Sequence, residues 1–479
     1  MLADACAARF ANGGAFVAIG RSITQFKPTN HKIEVVSAQP ITRAAGDPGT
    51  SKGLSHTWLA LRHRNFRLFF GGQSVSLIGT WMTRVAMLWL VYRLTGSALL
   101  LGTVGFVGQI PALFLAPLAG VVVDRMDRRK VMIVTQILAM LQSLALAVLT
   151  LARVINIYEV MALAFLQGCT TAFDTPARQA LMVRLVETRE ELSNAIALNA
   201  AMTDSTRLIG PSIAGLLIAA TNEGVCFLID GISFIAVIVS LFRMRIKPVE
   251  SAPARDDMMT QLREGWTYVT GSLPLRNILL LFALVSLMGW PFMALMPVFA
   301  AQVLHGGPHT MGFLTGAVGF GAFLAAISMV LRRTVRGLEI WLPRSAILFG
   351  IGLICFGFSH WQWSSLLFMV VTGFGMIKGL VSSNTIMQTL TDDRMRGRVM
   401  SYYTLAMLGM APFGNLLTGV VANAIGAPRT VMISGALCIA GGLWFFSQLG
   451  KIRADMRPIY QRHGILPAAD AAQELGTEI

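Results

Sequence analysis

Gly102-Thr103-Val104-Gly105-Phe106 in the first half of the chain returns as Gly316-Ala317-Val318-Gly319-Phe320, 214 positions on, in an equally apolar setting. Ser76-Leu77-Ile78-Gly79 echoes as Ser286-Leu287-Met288-Gly289, and Arg64-Asn65-Phe66 as Arg276-Asn277-Ile278, at nearly the same offset. An almost uninterrupted hydrophobic unit of half the chain, present twice, predicts two related helical bundles with a shared space between them.

Composition fixes the solvent. Charged residues make up 13% of the 479 positions and hydrophobic ones 54%, with mean hydropathy +0.63, whereas a soluble domain carries roughly 25% charge. Runs of ~20 apolar residues, the length that crosses a bilayer, lie near 67–92, 98–123, 131–152, 157–177, 194–220, 225–243, 277–303, 311–331, 340–359, 364–387, 400–423 and 428–449. The expected fold is an all-α integral membrane protein of twelve transmembrane helices in two pseudo-symmetric six-helix bundles. A soluble protein is excluded, because twelve apolar helices joined by short connections leave no polar face for water.

With the amino terminus placed in the cytoplasm, the even-numbered gaps hold nineteen Lys and Arg and the odd-numbered gaps three, namely Arg93, Arg153 and Arg429. The positive-inside bias then puts both termini inside. It also accounts for the net charge of +15 without a nucleic-acid partner. Cys6, Cys169, Cys226, Cys355 and Cys438 are scattered with neither disulfide nor metal spacing, and all seven histidines fall outside the spans. No metal or other cofactor is expected.

Residues 1–60 read as a disordered cytoplasmic tail, a segment that an over-long reading of the gene's start would also produce. The first bundle is expected over 61–244 and the second over 273–449. Between them, 245–272 forms a cytoplasmic link whose 259–270 has the pattern of a short amphipathic helix on the inner surface. Residues 450–479 read as a second polar cytoplasmic tail.

The loop Gly120-Val-Val-Val-Asp124-Arg125-Met-Asp127-Arg128-Arg129-Lys130 joins spans 2 and 3. It resembles the signature loop of the major facilitator superfamily. Gly79-Thr-Trp81-Met-Thr-Arg84, Phe173-Asp174-Thr-Pro176-Ala-Arg178-Gln179, Arg207-Leu-Ile-Gly210-Pro211 and Arg396-Gly397-Arg398-Val-Met-Ser401 are together similar to the drug and siderophore exporter branch, the transmembrane secretion effectors that include enterobactin exporters. The resemblance covers roughly 60–450 and implies a bacterial inner-membrane transporter working as a monomer. Export is what the resemblance adds. It also implies that Asp124 meets the start of span 11 near Val399–Ser401 as an inner gate, with Gly120, Arg125, Arg128 and Arg129 in the same motif and Arg128 paired with Asp174. Asp127 departs from the family, which usually has glycine there, and the second repeat's loop, Leu331-Arg-Arg-Thr-Val-Arg336-Gly337, has lost its acid.

Ionisable side chains within spans cost roughly 2.5–3.5 kcal/mol each at a helix centre, so they persist where paired or wet. Among them are Arg84, Asp174, Asp204, Arg207, Asp230 and Lys378. Asp204 leads as a proton-coupling acid, with Arg207, Arg84 and Asp230 as further candidates. Two plainer readings stand beside it: a fixed Asp204–Arg207 or Asp204–Arg84 pair, and Asp230 as a solvated acid about one turn below the outer surface. Gln73, Ser76, Thr80, Thr83 and Arg84 recur at helical steps on span 1, and Gln167, Thr170, Thr171 and Asp174 on span 4. Each set shares a face, read as lining the substrate cavity or as hydrogen-bonding glue between helices. Lys378 and Ser382 on span 10 face that cavity from the second repeat, or Lys378 snorkels to the headgroups. Gly210, Pro211 and Gly215 in span 5, with Gly419 in span 11, mark hinge or close-packing positions.

These residues point to a proton-coupled exporter of an amphiphilic small molecule, with protons, the substrate and the lipid bilayer as its partners. Uptake of a metabolite is the alternative, and a sensor would need an output domain that neither tail resembles. An enzyme is not expected, since no histidine lies at membrane depth, and no ATP-binding glycine-rich loop is present.

Overall fold

A computed structural model describes residues 59–186, 188–245, 258–332 and 334–462. The expectations for 1–58, for 246–257 of the link and for 463–479 fall outside the described residues. Twelve long helices are present among the described residues, without a strand: α1 (Arg64–Thr95), α2 (Ala98–Arg125), α3 (Arg128–Leu151), α4 (Ile157–Met182), α5 (Arg189–Ala220) and α6 (Glu223–Arg243). After the link helix α7 (Met258–Gly271) come α8 (Leu273–Val303), α9 (Pro308–Val330), α10 (Leu338–Phe358), α11 (Gln362–Leu390), α12 (Arg396–Ile425) and α13 (Ala427–Ser447), then a shorter α14 (Leu449–Arg462).

Ten of the twelve are long and apolar enough to cross a membrane by length and composition alone. The other two, α4 and α5, are of the same length but carry Asp174 and Arg178, and Asp204 and Arg207, which lower their hydropathy. Their boundaries follow from local chemistry. Asn156 and Glu159 close a capping box at the start of α4, and Thr188 and Glu191 do the same for α5. Asp127 caps α3, its carboxylate accepting from the Arg129 N–H at 2.9 Å, which gives the departure from the family loop a plain physical task. Wide i→i+5 turns interrupt α8 at Val285–Gly289 and Phe299–Val303 and α12 at Leu405–Gly409.

Within the first half α6 packs on α1 and α3, α4 on α2 and α3, and α5 on α1; in the second half α10 packs on α11 and α13, and α9 on α11. Two long contacts join the halves, α2 with α12 and α5 with α9. The repeated motif builds both. A Cβ on Gly102 of α2 would lie 2.8 Å from the Gly419 Cα of α12, and one on Gly319 of α9 would lie 2.8 Å from the Leu208 Cα of α5. Gly215 and Gly312 meet in the second seam, where a Cβ on either would come within 2.7 Å of the other's Cα. Both seams occupy the half of the molecule opposite the arginine-rich loops that hold Arg125, Arg128, Arg129 and Arg336.

Two segments read as bare tails are structured in part. Ala60 is buried, its N–H donating to Asn194 Oδ1 at 3.0 Å. Residues 449–462 form the amphipathic α14, which buries Leu449, Ile452, Met456 and Tyr460 and sets Arg453 Nε 3.4 Å from Glu339 of α10.

Candidate functional site

The midpoints of α1 and α5, each 32 residues long, bring together Trp81, Arg84, Asp204 and Arg207. The Arg84 guanidinium carbon lies 4.7 Å from the Trp81 ring centroid and that of Arg207 5.3 Å from the same ring. Arg84 has Trp81, Arg207 and Arg178 as neighbours and its side chain remains solvent-accessible, the placement of a charge on the space between the bundles rather than on lipid. Arg207 and Asp204 are half-buried beside it. The neighbouring charges acting on Arg84 are Arg207 and Arg178, both of its own sign. Neither fixed pair formed: Asp204 has no ion-pair partner among the described residues.

Other expected positions lie elsewhere. Asp230 is no rim acid. It sits seven residues into α6, about 10 Å along the axis at 1.5 Å per residue, and is 3% exposed, accepting from Thr83 Oγ1 at 2.8 Å and Ser143 Oγ at 2.9 Å. Of the polar stripe of α1, Gln73, Ser76 and Thr83 face this packing, while Arg84 faces the internal space. Gln73, Ser76 and Thr83 are buried, Gly79 abuts Asp230, and Thr80 bonds back to the Ser76 carbonyl at 3.0 Å. Of that stripe Thr83 acts as hydrogen-bonding glue between helices, through Asp230. Lys378 is likewise buried, donating to Ser328 Oγ at 2.8 Å with its Nζ 4.8 Å from the Trp341 centroid, and Ser382 beside it is fully buried. Both belong to the packing of α11 and do not line the internal space.

On α4, Gln167 and Thr171 are half-buried and bonded to each other at 3.4 Å. Asp174 turns toward α3. It accepts from Gln136 Nε2 at 2.7 Å and Thr135 Oγ1 at 3.1 Å, and its ion-pair partner is Arg178, one turn along the same helix, in place of Arg128. Arg128 instead donates to the Ala180 carbonyl at 3.4 Å, and Arg129 to the Phe242 carbonyl at 3.0 Å. These loop arginines satisfy the last turns of α4 and α6, where free carbonyls gather partial negative charge. Arg125 is exposed and the space around Gly120 is open. The side chain of Asp124 lies outside the described part. Gly210 packs on Trp81, next to Pro211.

Trp81 stands in the sequence only as part of the stretch 79–84 that resembles the exporter branch, without a role of its own, since one tryptophan on an apolar helix reads as packing. The polar residues that do open from the second half, Asn384, Thr385, Gln388 and Thr389, line a recess with Arg396 at the arginine-rich end. They follow Ser382 on α11 within two turns.

Residues 55–477 match the model of the family described as transmembrane secretion effector. The chain belongs to this family of the major facilitator superfamily. It is 25% identical to the staphyloferrin A transporter of Staphylococcus aureus over 83% of this chain and 99% of that one, and 24% identical to macrolide efflux protein A of Streptococcus pyogenes over 79% and 96%. Among solved structures it is similar to a bacterial homologue of the human lysosomal transporter Spinster, with TM-score 0.64 and 13% identity over 85% of this chain and 99% of that one. The family member described here is thus a multi-pass membrane transporter.

Proposed function

We propose that this transporter is a proton-coupled exporter of an amphiphilic small molecule, acting as a monomer in the bacterial inner membrane with both termini cytoplasmic. The arginine-rich loops mark the cytoplasmic face by the positive-inside bias. The two glycine seams then close the outer side, and the export step requires them to part while the cytoplasmic ends of the bundles approach. The loop from Gly120 to Arg129 serves as the inner gate, Asp124 docking at the start of α12 near Val399–Ser401, where a carboxylate meets free N–H groups. Export is supported by relatives named for siderophore transport and macrolide efflux.

The observation that carries this reading is the group at the middle of α1 and α5: Arg84, Trp81 and Arg207 facing an internal space, with an acid, Asp204, not locked in an ion pair. An acid so placed can take and release a proton as the space opens to one side or the other. Asp230, held only by hydroxyls and enclosed by α1, α3 and α6, is the second acid. Everted vesicles containing a pH-sensitive dye test the coupling. Addition of siderophore-like or drug-like compounds is expected to release protons with the wild type and to leave Asp204→Asn silent. A full response from Asp204→Asn removes that residue from the mechanism, and a silent wild type across all compounds that bind removes proton coupling.

A further inference from the structure

We infer that Arg84, Trp81 and Arg207 form a subsite for an anionic group borne on a planar ring or beside one, so that the substrate is an acid-bearing amphiphile rather than a neutral or cationic one. This rests on the reading of the midplane space as the substrate's. Arg178, the other arginine acting on Arg84, is paired with Asp174. At Trp81 that pairing has no counterpart. Two guanidiniums converge on one indole, 4.7 and 5.3 Å from its centroid, without an ion-pair partner among the described residues. The Arg207 Nε is buried with no hydrogen-bond partner.

Like charges gathered in an apolar setting repel, and cations at that depth are retained where something wet or anionic meets them. Asp204 on the same helix offsets one of the two charges, which leaves one positive charge in surplus. A carboxylate or comparable acid entering the space neutralises it, and guanidinium forks hold such planar anions in bidentate fashion. The Trp81 ring, which both guanidiniums approach, supplies apolar surface for the rest of the molecule. A cationic compound would instead meet two guanidiniums of its own sign.

Thermal melting of the purified full chain in lipid nanodiscs tests the assignment with matched probes: benzoate and phthalate as ring anions, glutarate as an anion without a ring, benzyl alcohol as a neutral ring and benzyltrimethylammonium as a cationic one. The expected result is a concentration-dependent rise in melting temperature with the ring anions only or most strongly. Arg84→Gln and Arg207→Gln should each weaken that apparent affinity about tenfold or more, as expected for loss of a charged hydrogen bond. Arg84→Lys and Arg207→Lys should recover part of it, and Trp81→Leu should abolish the preference for benzoate over glutarate. Melting without ligand identifies any variant that fails to fold. Equal response to benzyl alcohol or benzyltrimethylammonium, unchanged affinity in both folded Gln variants, or no response to any anion overturns the subsite. Anion binding without proton release in vesicles would retain the subsite and sink the coupled exporter, whereas proton release driven solely by cations, with the Gln variants active, would do the reverse.

Discussion

Asp230 has two hydroxyl donors on its carboxylate, from Thr83 and Ser143 on two different helices, and Gly79 pressed against it. Asp230→Ala would leave the Thr83 hydroxyl buried without its acceptor, while Ser143 keeps the Phe227 carbonyl at 3.1 Å, at a cost of about 1–3 kcal/mol, read as a lower melting temperature of the purified protein, with Asp230→Asn restoring much of it. A melting temperature unchanged by Asp230→Ala would mean that the Thr83 hydroxyl finds another acceptor. At the cytoplasmic surface Tyr268 of α7 hydrogen-bonds to Asp392 at 3.3 Å. Burial, with the Asp392 charge added, raises its phenol above the ordinary value. The folded state thus holds this proton longer than the unfolded one, so its contribution is complete below about pH 10 and is lost as pH rises through the folded value. Stability should fall on that alkaline limb, and Tyr268→Phe should flatten it in pH-dependent melting. The residue roles were partly legible. Asp127 stands out in the sequence only as a departure from the family loop, and its role as the cap of α3 comes from the structure. The stripe from Gln73 to Thr83 could be assigned to one face but not to a neighbour, because a wet cavity and a hydrogen-bonded helix contact demand the same residue types inside lipid. Asp230 was misplaced because depth counts from where α6 begins, at Glu223.

At the scale of elements, α2 with α12 and α5 with α9 are the contacts on which the conformation turns. They are close approaches of backbone at Gly102 and Gly419 and at Gly215 and Gly312, so added bulk has nowhere to go. Gly102→Val or Gly312→Val should disfavour the closed outer side by about 1–3 kcal/mol, the usual cost of overpacking. Cysteines placed at the outer ends of these helices should react roughly tenfold faster with a membrane-impermeant reagent, and unaltered labelling would show that the seams do not govern outer closure. The helices themselves were plain in the sequence, since each apolar run is long and its ends carry caps or arginines. What the sequence hid was the continuation of α1, α4 and α5 through charged turns, where capping and packing outweigh hydropathy. It also hid α14, whose buried Leu449, Ile452, Met456 and Tyr460 are separated by polar residues that mask them by average composition.

For the whole molecule, the link helix and the gate loop lie on the same face. α7 is fastened to α12 and the loop before it: Arg398 pairs with Glu264, Tyr402 donates to the Leu262 carbonyl at 2.8 Å, and the Trp266 and Tyr402 rings lie 5.7 Å apart. Any swing of the start of α12 toward the first bundle must carry α7 with it. If Asp124 docks there during transport, Asp124→Asn should slow turnover several-fold while leaving substrate affinity nearly unchanged, measured as vesicle flux against equilibrium binding. Normal flux would remove the acid from the gate. The same short glycine pattern that announced the duplication in the sequence also supplies, in each half, the knuckle that the other half grips. A six-helix ancestor carrying that pattern once could therefore have closed the joint with an identical copy of itself, as an isologous pair. Fusion of the genes would then have freed the halves to diverge in charge while the joint kept its symmetric form.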